Sequence, residues 1–448
     1  MTSSAHSIRA IAERRLAELP LACSIELPGG ERVGASDARV RFGVRDRRAL
    51  RHLAQGHIGL IAEDYVEGRL EIEARPRDLM LVAPALLGSD PVDGEASGLR
   101  AVLARARKAL WEHTAHSRAR DAAQIQHHYD VSDDFYELWL DPRRVYSCAY
   151  FAEPWMSLAQ AQEAKLDHVC RKLRLEPGER FFDVGAGWGG LLLWAAEHYG
   201  VDATGITLSR NQYAHVNRLI DEKGLRGRVR MLLQDYRDVD EASAFDKMAS
   251  IGMCEHVGRP NLPVYFGKIR RLLRPGGLVL NHGITAASTS RHRGSDDMGD
   301  FIEKYIFPGG QLVHLSVVLD ALGRGGLEPL DVESLRPHYA RTLWHWSDTL
   351  EDKLDAARRI LGDGAEKVIR AYRLYLAGCA MGFEQGWISV FQTLGAHADG
   401  VVEVDAEPSR LHGAQSDYPF QRSYIYRPHA GVETARAPVP STQDMTAT

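Results

Sequence analysis

The sequence predicts an α/β protein: a doubly wound, Rossmann-like sheet with a helical insertion, preceded by a small α+β unit. Two observations carry this. Residues 181–190 read FFDVGAGWGG, an apolar strand end, an acid, then four glycines in six positions. Absent side chains there allow a tight turn and a close backbone approach to a ligand. Downstream, strand-like runs alternate with helical stretches, the order that builds a parallel sheet covered on both faces.

In chain order, residues 1–95 give a first unit: an opening helix, then strand-like runs CSIELPGG, ARVRFGV and HIGLIAEDYVEGRLEIE separated by turn residues. APALLGSDPVDGEASG (83–98) reads as a linker, and 96–123 as linker plus a basic helix. Arg100, Arg105, Arg107, Lys108, Arg118 and Arg120 face one acid there, Glu112. Such a helix either rests on an anionic membrane surface or is a solvated connection between units. The second unit runs from 124 to 400. Its strands are RFFDV, VDATGIT, the run before LLQDYRD (232–238), FDKMASIGM (245–253) and LVLNHGI, the last fed by an LRPGG turn (273–277). A final strand pair falls near 326–335 and 387–396. FIEKYIFPGG (301–310) and a helical stretch over 345–385 are expected between the fifth strand and that pair, as an insertion roofing a pocket. Residues 401–448 lose periodicity and are expected to be partly disordered.

At 448 residues with a net charge of −5, the chain is too long for one core and too acidic for a general nucleic-acid binder. Its five cysteines are scattered, without C-x-x-C spacing, which argues against a disulfide framework or zinc site and for a reducing cytoplasm. His127 and His128 are adjacent, so they do not share a helix face as metal ligands would; no metal is expected. No signal peptide or membrane-spanning run is read, so a soluble protein is expected.

Gly185, Gly187 and Gly190 satisfy G-x-G-x-x-G, which alone leaves the cofactor open. A dinucleotide site expects an acid at the end of the second strand, and Thr207 stands there instead. Asp183, two places before Gly185, has the placement of the acid in many methyltransferases that use S-adenosylmethionine. Trp188 serves either packing or the cofactor. His282 either acts at a site or ends the fifth strand. Glu255 follows a buried-looking strand, where a carboxylate is costly without partners, and either works in a site or holds a loop through an ion pair.

HHYDVSDDFYELWLD (127–141), YSCAYF (146–151), DVGAGWGG, GITLSRNQ (205–212), LLQDYRD, GMCEHVG (252–258), NHGI (281–284) and EKYIFPGG (303–310) occur in this order. Together they resemble the cyclopropane-fatty-acyl-phospholipid synthase family from about 124 to 396, and residues 1–95 look like its small lipid-associated domain. The resemblance implies methylene transfer from S-adenosylmethionine to a cis double bond in an acyl chain of a membrane phospholipid. It implies a bound bicarbonate as base, held by the backbone of Cys148, by Glu255 and His282, by the backbone of Ile284, and by Tyr339. For the cofactor it implies Tyr129, Tyr146, Ser147, Asp183, Gly185, Gly187, Thr207, Gln212, Asp235 and Tyr236, with Asp235 beside the adenine. Ala186 stands where the family commonly has cysteine. A cytoplasmic protein peripherally bound to the inner membrane surface is expected, with a homodimer as an option. A related activity giving a methylene or methyl branch, or a lipid-binding protein with a vestigial cofactor fold, are the rival readings.

Overall fold

The computed structural model describes residues 2–87, 132–240, 242, 244–289, 293–398 and 422–427. The basic stretch 100–120, Tyr129 and most of the C-terminal extension lie outside these residues.

The expected α/β class is borne out. An eight-stranded sheet has the order β11-β12-β9-β8-β5-β6-β7, with β10 on β9. Its strands are β5 Arg180–Val184, β6 Asp202–Thr207, β7 Val229–Leu233, β8 Phe245–Ile251, β9 Leu273–Ala286, β10 Val313–His314, β11 Glu328–Ser334 and β12 Ile388–Ala396. The β5 to β10 pairings are parallel, whereas β11 and β12 add antiparallel strands beside β9. Chain order reverses between β5 and β8, and in open α/β sheets ligands bind in the crevice beyond the strand ends at such a point. LRPGG is assigned to β9 itself, and appears as a register shift opposite Phe245 and Lys247.

Local chemistry fixes the helices that flank the crevice. Helix Leu158–Lys172 starts at a reciprocal Ser157/Gln160 capping box, and helix Arg210–Glu222 at Ser209, whose side chain accepts from the Gln212 amide. The segment carrying Tyr146, Ser147 and Cys148 has no regular structure, so side chains satisfy its backbone. Asp141 accepts from Val145 N at 2.8 Å, Gln162 donates to Ser147 O at 2.9 Å, and Ala149 N donates to Thr342 Oγ1 at 3.1 Å.

Two expectations need correction. The helical insertion begins at Arg336 and lies between β11 and β12, as helices Arg336–Asp352, Leu354–Leu361 and Ala365–Glu384. HIGLIAEDYV is the helix Ile58–Val66, and only LEIE of that run forms a strand, β4. The run is short and mixes exposed Leu60 with buried Ala62, Tyr65 and Val66, so its periodicity does not separate helix from strand. Within the C-terminal extension, residues 422–427 form a turn: Ile425 is buried, and Arg171 donates to the carbonyls of Ile425 (2.5 Å) and Arg427 (3.1 Å).

The N-terminal unit is a sheet of order β2-β1-β3-β4, with β1 Cys23–Glu26, β2 Arg32–Gly34, β3 Val40–Val44 and β4 Leu70–Glu73. Its helix Ile58–Val66 shares a core with the insertion, where Ala62 and Val66 join Trp139, Tyr339, Trp346 and Tyr372 in one cluster. Two arginines of helix Ala365–Glu384 reinforce this contact. Arg370 grips Glu71 at 2.8 and 3.0 Å; Arg373 reaches Tyr65 Oη (2.6 Å), Ala74 O (2.9 Å) and both oxygens of Glu351. Because losing one partner strands a mostly buried charge, Arg373→Ala should lower stability by about 3 kcal/mol in urea unfolding, with Arg373→Lys restoring only part.

Candidate active site

The crevice opens into a cavity of about 780 Å³. Its polar end is made by loops after β5 and β8 and by β9. Gly185 takes φ +82°, which strains any other residue, and a Cβ there would lie 2.5 Å from Met253 Sδ and displace that side chain. Gly187 faces open space, which leaves its backbone accessible. Ile251 pairs with His282 across β8 and β9, and Gly252 N donates to His282 O at 2.9 Å, placing the short helix Cys254–Val257 beside His282.

Of the residues singled out from sequence, Tyr146, Ser147, Asp183, Gly185, Gly187, Gln212, Glu255, His282, Ile284 and Tyr339 all line this cavity. Thr207 stands one layer behind, its hydroxyl donating to Gln212 Oε1 at 2.7 Å. That bond orients the amide, and the buried Gln212 Nε2 has no partner, so it is available to a polar ligand. Trp188 lines the cavity with its buried indole N–H likewise unpartnered. Cys148 is buried outside the lining; burial pushes its thiol up, and Sγ turns to Ala149 O at 3.2 Å. Asp235 and Tyr236 also fall outside the lining. Asp235 caps the turn Tyr236–Asp238 and is held by Arg237 at 2.6 Å, while Tyr236 packs edge-on against Tyr265.

Desolvation dominates the electrostatics. Glu255 is buried, with Oε1 accepting from Ile284 N at 2.7 Å and Oε2 unpartnered. Burial raises its pKa to about 7, partly offset by the hydrogen bond from Ile284. The Ile284 amide is thus committed to orienting Glu255. Burial lowers His282 to about 3, so the ring is neutral. Its Nδ1 lies 3.3 Å from the Gln392 amide nitrogen, and with that nitrogen donating the ring proton sits on Nε2. Tyr339 and Tyr146 are held well above the usual phenol range by the same burial.

Lys165 was not found from sequence. Its Nζ donates to Ser147 Oγ at 2.9 Å, it lines the cavity, and burial brings it down to about 8. Burial raises neighbouring Asp183 to about 7 against the pull of Lys165. The polar end therefore offers weakly charged groups, neutral donors and a bare glycine backbone. Among the described residues, no group of His, Cys, Asp and Glu could hold a metal, and no helix is long and apolar enough to cross a membrane.

The open glycine turn, the buried Asp183 behind it and the free Gln212 donor suit the amino-acid and ribose portions of S-adenosylmethionine. Fold and site together define a methyltransferase that depends on this cofactor. The family described as mycolic acid cyclopropane synthetase matches residues 116–393, and the chain belongs to it. It is 39% identical over 422 residues to a "probable fatty acid methyltransferase" of Pseudomonas putida, covering 92% of this chain and 100% of that protein. It is 40% identical to cyclopropane mycolic acid synthase 1 of Mycobacterium tuberculosis, over 60% of this chain and 95% of that one. The structure of mycolic acid cyclopropane synthase CmaA1 complexed with SAH and CTAB aligns with a TM-score of 0.58 at 38% identity, covering 61% of this chain and 98% of that chain.

The Glu255 carboxyl keeps its proton up to about 7 in the folded chain and releases it near 4.5 when unfolded. Its contribution to stability is therefore fully present below pH 4.5 and lost as pH rises through 7. Glu255→Gln can still accept from Ile284 N and removes this titration. Urea midpoints measured across that window should fall more steeply for wild type than for the variant; parallel curves would mean that the carboxyl is not desolvated.

Proposed function

We propose that the protein transfers a methylene group to the cis double bond of an unsaturated acyl chain in a membrane phospholipid, forming a cyclopropane ring. What supports this reading is a single arrangement: Glu255, His282, Ile284 and Tyr339 meet the glycine loop in one cavity whose remaining walls are largely apolar. S-adenosylmethionine supplies an electrophilic carbon when bound at the glycine loop. An alkene is a weak nucleophile, so the chain's own residues must hold it close and keep water out. The apolar walls do this. With His282 neutral and both Tyr339 and Glu255 able to keep their protons, no strong base faces the bound carbon before transfer.

Bicarbonate would be held by the unpartnered Glu255 Oε2, by the His282 Nε2–H and by the Tyr339 hydroxyl, and would supply the base that takes the proton needed for ring closure. Cys148 would contribute through its backbone, since its thiol is buried and protonated. A methylene or methyl branch is the product if the proton leaves from a different carbon.

Purified enzyme should convert monounsaturated phospholipid to the cyclopropane, slow in bicarbonate-depleted buffer and recover when bicarbonate returns, as followed by mass spectrometry and NMR. A methylene-branched product, or full activity in thoroughly depleted buffer with no anion retained, overturns the assignment. Glu255→Gln should keep its affinity for S-adenosylmethionine and lose turnover by on the order of a hundredfold, the scale for a positioned proton-transfer system; unchanged turnover removes this residue from the mechanism.

A further inference from the structure

The active-site cavity does not end within the methyltransferase unit. It continues into the N-terminal unit, where Phe42 of β3, Ile72 of β4, Leu53 of helix Arg47–Gln55, Ile61 of helix Ile58–Val66 and Leu79 of helix Pro76–Leu87 form its wall. Phe42 and Ile72 are cross-strand partners and both are buried, so together they make a floor on one face of the small sheet. Every lining residue that this unit contributes, among the described residues, is apolar. The methyltransferase unit contributes apolar lining as well, but the polar lining is all on its side, with Arg259, His256, Gln311 and His314 among it.

The geometry points to a subsite in the N-terminal unit for the methyl-terminal segment of the substrate's acyl chain, a deepening that rests on the acyl-chain reading above. The cavity is continuous with the glycine loop and Glu255, so a chain whose double bond lies there has one arm directed toward Phe42 and Ile72. A phosphate ester or glycerol in that arm's place would strand its oxygens among hydrocarbon, which is costly, whereas a methyl end leaves nothing unsatisfied. The ester and head group then belong with the polar lining. The Arg370 and Arg373 contacts acquire a role: they hold the floor of the subsite against the unit that performs the chemistry.

The full-length enzyme is given vesicles containing palmitoleoyl, oleoyl and cis-vaccenoyl phospholipids in competition, and products are resolved by mass spectrometry. Oleoyl exceeds palmitoleoyl by two methylenes on the methyl side of the double bond; cis-vaccenoyl exceeds it by two on the carboxyl side. Ile72→Trp shortens the subsite and should lower the oleoyl-to-palmitoleoyl product ratio about tenfold, the scale of a methylene-sized misfit in an apolar pocket. The cis-vaccenoyl-to-palmitoleoyl ratio should hold, as should affinity for S-adenosylmethionine. Phe42→Leu enlarges the floor and should move the oleoyl ratio upward; it decides the matter alone if the tryptophan variant does not fold. An unchanged oleoyl ratio in a folded variant overturns the subsite, and a change confined to the cis-vaccenoyl ratio shows the carboxyl side lying there instead. If wild type turns over none of the three lipids, the acyl-chain reading itself fails and the subsite with it.

Discussion

The approach of Gly185 to Met253 is the contact on which the site depends. At φ +82° any other residue at 185 would be strained, and its Cβ, 2.5 Å from sulfur, would displace the Met253 side chain of the β8 loop. Those loops carry the glycine turn on one side and Glu255 on the other. Parallel pairing does the rest: β8 and β9 are in register through Ile251 and His282, so Glu255, His282 and Ile284 fall at the same end of the sheet. The antiparallel β12 then sets Gln392 beside His282, and Val390 beside Ile284.

Given that placement, burial sets the protonation states. Asp183 and Glu255 are raised and Lys165 and His282 lowered, each toward its neutral form, with desolvation the largest cause in all four. Bringing such groups together without full pairing costs stability, and the unpartnered Glu255 Oε2 and Gln212 Nε2 show where. Sites built for ligands commonly retain such unsatisfied groups, and large, well-packed cores around Trp139 and Leu192 offset them.

The alternation of strands and helices and the glycine loop were legible because each rests on short-range signals: alternating periods, and glycines where φ must be positive. Other features were illegible for physical reasons. Gln162, Lys165, His168 and Lys172 recur at helical spacing with no local sign of burial, yet all four are buried; only tertiary packing against Ser147 and Glu333 shows that this polar face points inward. Gln392 gives no local signal, since its meaning comes from a strand pairing with His282, 110 residues away. Ile58–Val66 was read as strand because a nine-residue run of mixed exposure shows no clear period. The turn at 422–427 had no local signal because its anchor, Arg171, lies far back in the chain. Asp235 and Tyr236 were placed by motif; in the structure Asp235 pairs with Arg237, and neither lines the cavity.

Two units of different origin in the sequence thus make one cavity, and they contribute different things to it. The parallel sheet provides polar groups whose ionisation is tuned by burial, while the N-terminal unit and insertion provide hydrocarbon walls. Substitutions in the N-terminal wall change shape without touching a titrating group. Ile284 is the exception. Its side chain packs against the insertion's core, while its amide donates the hydrogen bond to Glu255. One backbone position therefore joins the hydrocarbon wall to the carboxyl whose proton affinity burial sets.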